Sequence, residues 1–99
     1  MKASRERLIR QLTDQLPAIR ARLDISQDEL ASRVGISRQT VSLIETHKQS
    51  MTRVTFMAML ALFENNKESL SQLSLTGFFN NEDFAACMTI KGQEEYRHG

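Results

Sequence analysis

Residues 26–45 read SQDELASRVGISRQTVSLIE, and this stretch decides the fold. Ser26 followed by Glu29 predicts a capping box, in which the serine oxygen accepts a backbone N–H and the glutamate reaches back to another. Leu30, Ala31 and Val34 then recur at helical spacing and form a narrow apolar stripe. Gly35 stands where a helix can end in a left-handed residue, a conformation that glycine adopts without a Cβ penalty. Ser37 is a suitable N-cap for a second helix whose inward residues are Val41 and Ile44. The small Ala31 allows the two helices to approach closely. Two short helices joined by a tight glycine turn make a helix-turn-helix, the shape that lays a helix in the DNA major groove.

Working outward, the segment 2–23 predicts helix, with Leu8, Leu12, Leu16 and Ile19 four and three residues apart. Pro17 removes an amide donor there, so either a kink or a break near Gln15 is expected. Downstream, Thr46 to Ser50 reads as a polar loop, and Thr52 can cap a helix running to about Glu64. Its apolar face is Phe56, Met59, Leu60 and Phe63. Residues 68–75 form a weaker helix pattern with Leu70, Leu73 and Leu75, which Gly77 breaks. Beyond it, Phe78, Phe79 and Phe84 are too many aromatics for a purely disordered tail. Residues 85–90 could be a short strand or one helical turn, and the polar end after Lys91 should fray. The methionines Met51, Met57, Met59 and Met88 read as core filler.

Residues 16–63 resemble the lambda repressor/Cro class of helix-turn-helix proteins, the XRE family. The resemblance rests on Leu16, Ile19 and Arg20, then SQDELA (26–31), Gly35, SRQTVSLIE (37–45) and TFMAMLALF (55–63). It implies an all-α fold, a lambda-repressor-like bundle of about five helices that binds DNA as a dimer, here with a short C-terminal extension. The expected organisation is an N-terminal helical extension at 1–15, the DNA-binding domain at 16–75, and an extension at 76–99.

With Val41 and Ile44 inward, Gln39, Ser42, Leu43 and Thr46 point outward, with Arg38 at the edge of that face. The motif reads bases mainly through the start of its second helix. Gln39 suits a bidentate pair with adenine, and Arg38 suits guanine or a phosphate. Ser42 and Leu43 complete the candidate base-contacting set. Leu43 could pack on a thymine methyl, mark a protein-contacting surface, or be an isolated surface apolar residue. Lys48 could meet backbone phosphate, as could Thr46. Ser37 is a cap first and a phosphate contact second. The resemblance implies a phosphate contact for Gln27 and an ion pair between Arg20 and Glu45 that pins the recognition helix. It also places a glycine where this chain has His47, which leaves the loop geometry open.

Composition bounds the rest. The chain's 99 residues, 40% of them apolar, suffice for one modest core. Net charge is +1, but residues 1–53 hold ten Lys/Arg against six Asp/Glu, and residues 54–99 hold three against six. The basic half contains the helix-turn-helix, as phosphate binding requires. A single cysteine, Cys87, excludes an intramolecular disulfide. With no membrane-length apolar run and no signal-peptide pattern, a cytoplasmic location is expected. Neither a metal-ligand spacing nor a nucleophile–base constellation is present, so no cofactor, metal or enzymatic activity is expected. The expected function is a sequence-specific transcriptional regulator, most simply a homodimeric repressor on a double-stranded DNA operator. The alternative is an antitoxin or antiactivator that binds a toxin or regulator protein. In either case Phe78, Phe79, Phe84 and Ile90 are the candidate dimer or partner contacts.

Overall fold

Leu8, Leu12, Leu16 and Ile19 lie on one face of a single 22-residue helix, α1 (Lys2–Leu23), and all four are 0% exposed. In this computed structural model residues 2–80 and 82–88 are described. Their regular elements are all helical: α1, then α2 (Gln27–Val34), α3 (Arg38–Glu45), α4 (Arg53–Glu64), α5 (Lys67–Leu75), a 3₁₀ turn (Phe78–Asn80) and α6 (Glu82–Met88). The all-α expectation holds. α2 and α3 pack on each other, α2 lies against α4, and α1 touches α3, α5 and α6. The first helix is thus the common wall of the bundle.

No break occurs at Pro17, and α1 passes through the boundary expected at residues 15 and 16. Proline within a helix costs roughly 3 kcal/mol, chiefly through a lost donor and a clash with the previous turn. Here Pro17 is exposed while its neighbours Leu16 and Ile19 are buried. Keeping that apolar stripe continuous outweighs the local cost. Buried Thr13, one turn earlier, satisfies its hydroxyl by donating to the Ile9 carbonyl at 2.8 Å.

α4 buries the expected face: Phe56, Met59, Leu60 and Phe63 are at most 3% exposed. Met51 and Met59 fill the core, but Met57 does not. It is 49% exposed because it lies one turn beyond exposed Val54, on the side of α4 away from the bundle. In α5 Leu73 is buried, whereas Leu70 and Leu75 are exposed.

The segment after Gly77 corrects a larger expectation. Gly77 has φ 76° and turns the chain back onto the bundle. Phe78 follows and is 1% exposed, so its ring belongs to the core and offers no contact surface. Phe79 and Phe84 are half-buried against it, the three rings meeting edge to face with centroids 5.2–5.8 Å apart. Of the two forms open for the following stretch, helix is the one adopted, as α6. Arg7 of α1 grips Asp83 of α6 with Nη2–Oδ1 at 2.7 Å and Nε–Oδ2 at 3.0 Å. Those hydrogen bonds hold the Asp83 carboxyl below its ordinary pKa. Ile90 lies outside the described residues.

His47 resolves the open question of its loop. It adopts φ 61°, the left-handed conformation that the family supplies with glycine. Its N–H donates to Ile44 O at 3.0 Å and that of Lys48 to Leu43 O at 2.9 Å. These two bonds are a Schellman ending of α3 built on histidine. Asp24 (φ 56°) ends α1 in the same manner, with Ile25 N–H bonding Arg20 O at 3.1 Å. A left-handed non-glycine residue costs roughly 1–2 kcal/mol, while glycine adds about 0.5–1 kcal/mol of chain entropy to be lost. His47→Gly should therefore stabilise the fold by about 0.5–1 kcal/mol on those same terms. A rise in the midpoint of thermal unfolding checks this, and a fall would show that the exposed His47 Nε2–Asp14 Oδ1 contact at 3.3 Å matters more.

Candidate nucleic-acid interface

Both helices of the motif are capped as their sequences require, with one difference. Ser26 Oγ accepts from Glu29 N–H at 3.0 Å, but the reciprocal half of the capping box is missing. Glu29 instead pairs with Arg33, one turn on along α2, at 3.0 Å, because a cation attracts the carboxylate more strongly than a neutral amide. Gly35 ends α2 at φ 82°, with its own N–H and that of Ile36 both donating to Ala31 O. Ser37 Oγ accepts from Thr40 N–H at 3.0 Å and lies 2.8 Å from Thr40 Oγ1. Its hydroxyl is a cap in this geometry.

Val41 and Ile44 are 0% and 1% exposed, which fixes the rotation of α3 about its axis. The side chains of Arg38 and Gln39 at its N-terminus are exposed and make no hydrogen bond or ion pair among the described residues. Their guanidinium and amide groups are therefore unengaged within the described residues. Ser42 and Leu43 are half-buried rather than fully outward. The loop after α3 folds back there: the N–H groups of Lys48 and Gln49 donate to Leu43 O at 2.9 and 3.2 Å. Thr46 is exposed, but its hydroxyl donates to Ser42 O at 2.9 Å and so serves the helix end. Lys48 is exposed without an ion pair among the described residues.

Arg20 of α1 holds the other end of α3. Its Nε and Nη2 donate to Glu45 Oε2 and Oε1 at 2.7 and 3.0 Å, and Nη1 reaches Ile25 O at 3.3 Å. Gln27, for which a phosphate contact was expected, donates through Nε2 to Glu45 Oε1 at 3.0 Å. Sequence spacing does not reveal this contact, since it joins residues on two helices 18 positions apart. The carboxylate side chain is 7% exposed and the arginine 21%. Burial alone would push the Glu45 carboxyl up, but the hydrogen bonds from Arg20 and Gln27, with the arginine charge, carry it below the ordinary glutamate value. The same bond raises Arg20. Three helices are thus locked at one carboxylate, and the exposed end of α3 is presented rigidly.

Among the described residues no group of acidic, histidine or cysteine side chains could hold a metal ion, and no helix is long and apolar enough to cross a membrane. Residues 18–64, from the second half of α1 to the end of α4, match a family model described as helix-turn-helix. No curated protein and no solved structure matches the chain significantly. With its caps, glycine turn, buried Val41–Ile44 stripe and exposed Arg38 and Gln39, the segment 18–64 belongs to the lambda repressor-like, XRE-type helix-turn-helix family of DNA-binding regulators.

Proposed function

We propose that the protein is a sequence-specific transcriptional repressor that binds its operator as a homodimer, with α3 in the major groove. The observation that carries this reading is the pairing of a locked helix with a free end. Arg20 and Gln27 hold Glu45, while Arg38 and Gln39 stand exposed and unpartnered at the N-terminus of α3. Two copies would set their recognition helices roughly 34 Å apart, one turn of DNA, on a pseudo-palindromic site. Repression would be steric, by occupying DNA that polymerase needs.

The test is a titration at fixed salt on DNA upstream of the protein's own gene, beside a scrambled duplex and a single half-site. Gln39→Ala should weaken operator binding by about 1–3 kcal/mol, roughly 5- to 150-fold, and leave scrambled DNA unaffected. A dimer should prefer the full site strongly over the half-site. Equal binding to operator and scrambled DNA would reject this operator, and an unchanged Gln39→Ala would reject base reading by α3.

A second reading, a module that binds a toxin or another regulator, has one observation in its favour. Leu70, Phe79 and Phe84 line a shallow groove of about 290 Å³ beside Glu64, on helices away from the helix-turn-helix. A chain that failed to bind any DNA and co-purified with an unrelated protein would shift the choice to this reading.

A further inference from the structure

We propose that a groove between the first half of α1 and the loop after α3 binds a DNA phosphate flanking the bases read by α3. The inference rests on the DNA-binding reading and adds a site to it. The groove has a volume of about 390 Å³ and is lined by Arg10 and Thr13 on one wall and His47, Gln49 and Ser50 on the other, with Glu6 also among its lining residues. Its α1 wall lies before residue 18, outside the segment that matches the helix-turn-helix family.

Two observations select a phosphate as the occupant. The first is charge. Arg7, Arg20 and Arg22 of α1 are each tied to a carboxylate, on Asp83, Glu45 and Glu68 respectively. Arg5 and Arg10 have no such partner among the described residues, and of the two Arg10 is exposed and lines the groove, so its planar fork of donors remains free for an oxyanion. Gln49 and Ser50 add neutral donors on the facing wall. The acidic groups near the groove are Glu6 and Asp14, and Asp14 sits 3.3 Å from His47 Nε2. Both carboxylates oppose an anion there, and Glu6 is the one that lines the groove.

The second observation is position. In the docking proposed above α3 lies in the major groove, which is ~12 Å wide and has a phosphate backbone along each side. A segment leaving α3 therefore meets the phosphate wall of the duplex, and the loop carrying His47, Lys48, Gln49 and Ser50 is that segment. The extended α1 lies against the same loop. It lengthens the footprint by one phosphate and carries no sequence information.

Fluorescence titrations of the full chain over a range of salt test this. Arg10→Gln should lower the salt slope by about 0.9 and weaken binding about fivefold near 0.15 M salt, equally on operator and scrambled duplexes. Glu6→Gln should strengthen binding to both. Gln39→Ala should change the operator-to-scrambled ratio and leave the slope alone. A duplex shortened to end before the flanking phosphate should bind wild type and Arg10→Gln alike. An Arg10→Gln slope and affinity equal to wild type on long DNA would overturn the groove and leave base reading intact. An unaltered ratio in Gln39→Ala with a reduced slope in Arg10→Gln would do the reverse. Absence of DNA binding by the wild type would overturn both.

Discussion

Phe78→Ala is expected to destabilise the protein by about 3–5 kcal/mol, the usual range for truncating a buried phenylalanine. For a small domain whose total stability is about 5–15 kcal/mol, that is a large share. The ring is 1% exposed and meets Phe79 and Phe84 edge to face, so alanine leaves a void flanked by two half-buried rings. Backbone geometry limits any collapse into it, because the preceding Gly77 holds a left-handed turn. Equilibrium denaturation in urea checks the value, with Phe79→Ala as the milder comparison. A loss under about 1 kcal/mol would match a surface substitution and mean that the segment after α5 is a removable appendage. The same argument bears on truncation. A chain ending at residue 75 lacks a core side chain, so a change in its oligomeric state would report misfolding as readily as a lost interface.

Glu45→Ala should cost about 3 kcal/mol, near the lower end for breaking a buried ion pair by removing one partner. The arginine left behind is only 21% exposed and loses its bidentate acceptor, while Gln27 loses the oxygen it donates to. Specific DNA affinity should fall with stability, since α3 would no longer be tied to α1 and α2 at its C-terminal end. Arg20→Ala combined with Glu45→Ala should cost less than the sum of the single changes, a coupling that two independent surface charges would not show. The pH dependence has a definite sign. The folded Glu45 carboxyl lies below its unfolded value of 4.5. Its contribution is therefore fully present above that value and is lost as pH falls through the lower folded one. Asp83 is depressed in the same direction by Arg7, so acid unfolding of wild type alone mixes the two. The comparison with Glu45→Gln separates them: wild type should lose more stability on acidification than the variant. Parallel acid profiles would show that the pair is energetically silent.

The helix-turn-helix was legible because each of its parts obeys a local rule. A serine cap, a glycine at a left-handed position and apolar residues one turn apart all act within a few residues of themselves. The same holds for α4, whose buried face repeats at helical spacing. What sequence reading missed depends on long-range choices. Pro17 argued for a kink or a break, and of these the break does not occur, because the bundle accepts an exposed proline to keep Leu16 and Ile19 buried. Phe78 read as a surface aromatic because nothing local says that Gly77 aims it inward. Gln27 read as a free amide because its acceptor, Glu45, lies 18 residues away. Arg10 was one basic residue among several until its place on the wall of the groove set it apart.

The order in which the chain is made gives α1 a further significance. Its stripe of Leu8, Leu12, Leu16 and Ile19 leaves the ribosome before α5 and α6, which are among its cover. An amphipathic helix whose partners are still untranslated is a surface for chaperones and for other nascent chains. Synthesis proceeds at about 5–20 residues per second, so this stripe stays only partly covered for several seconds. Asp83 must emerge before Arg7 can close its ion pair. The chain is thus vulnerable during translation until α6 closes over α1.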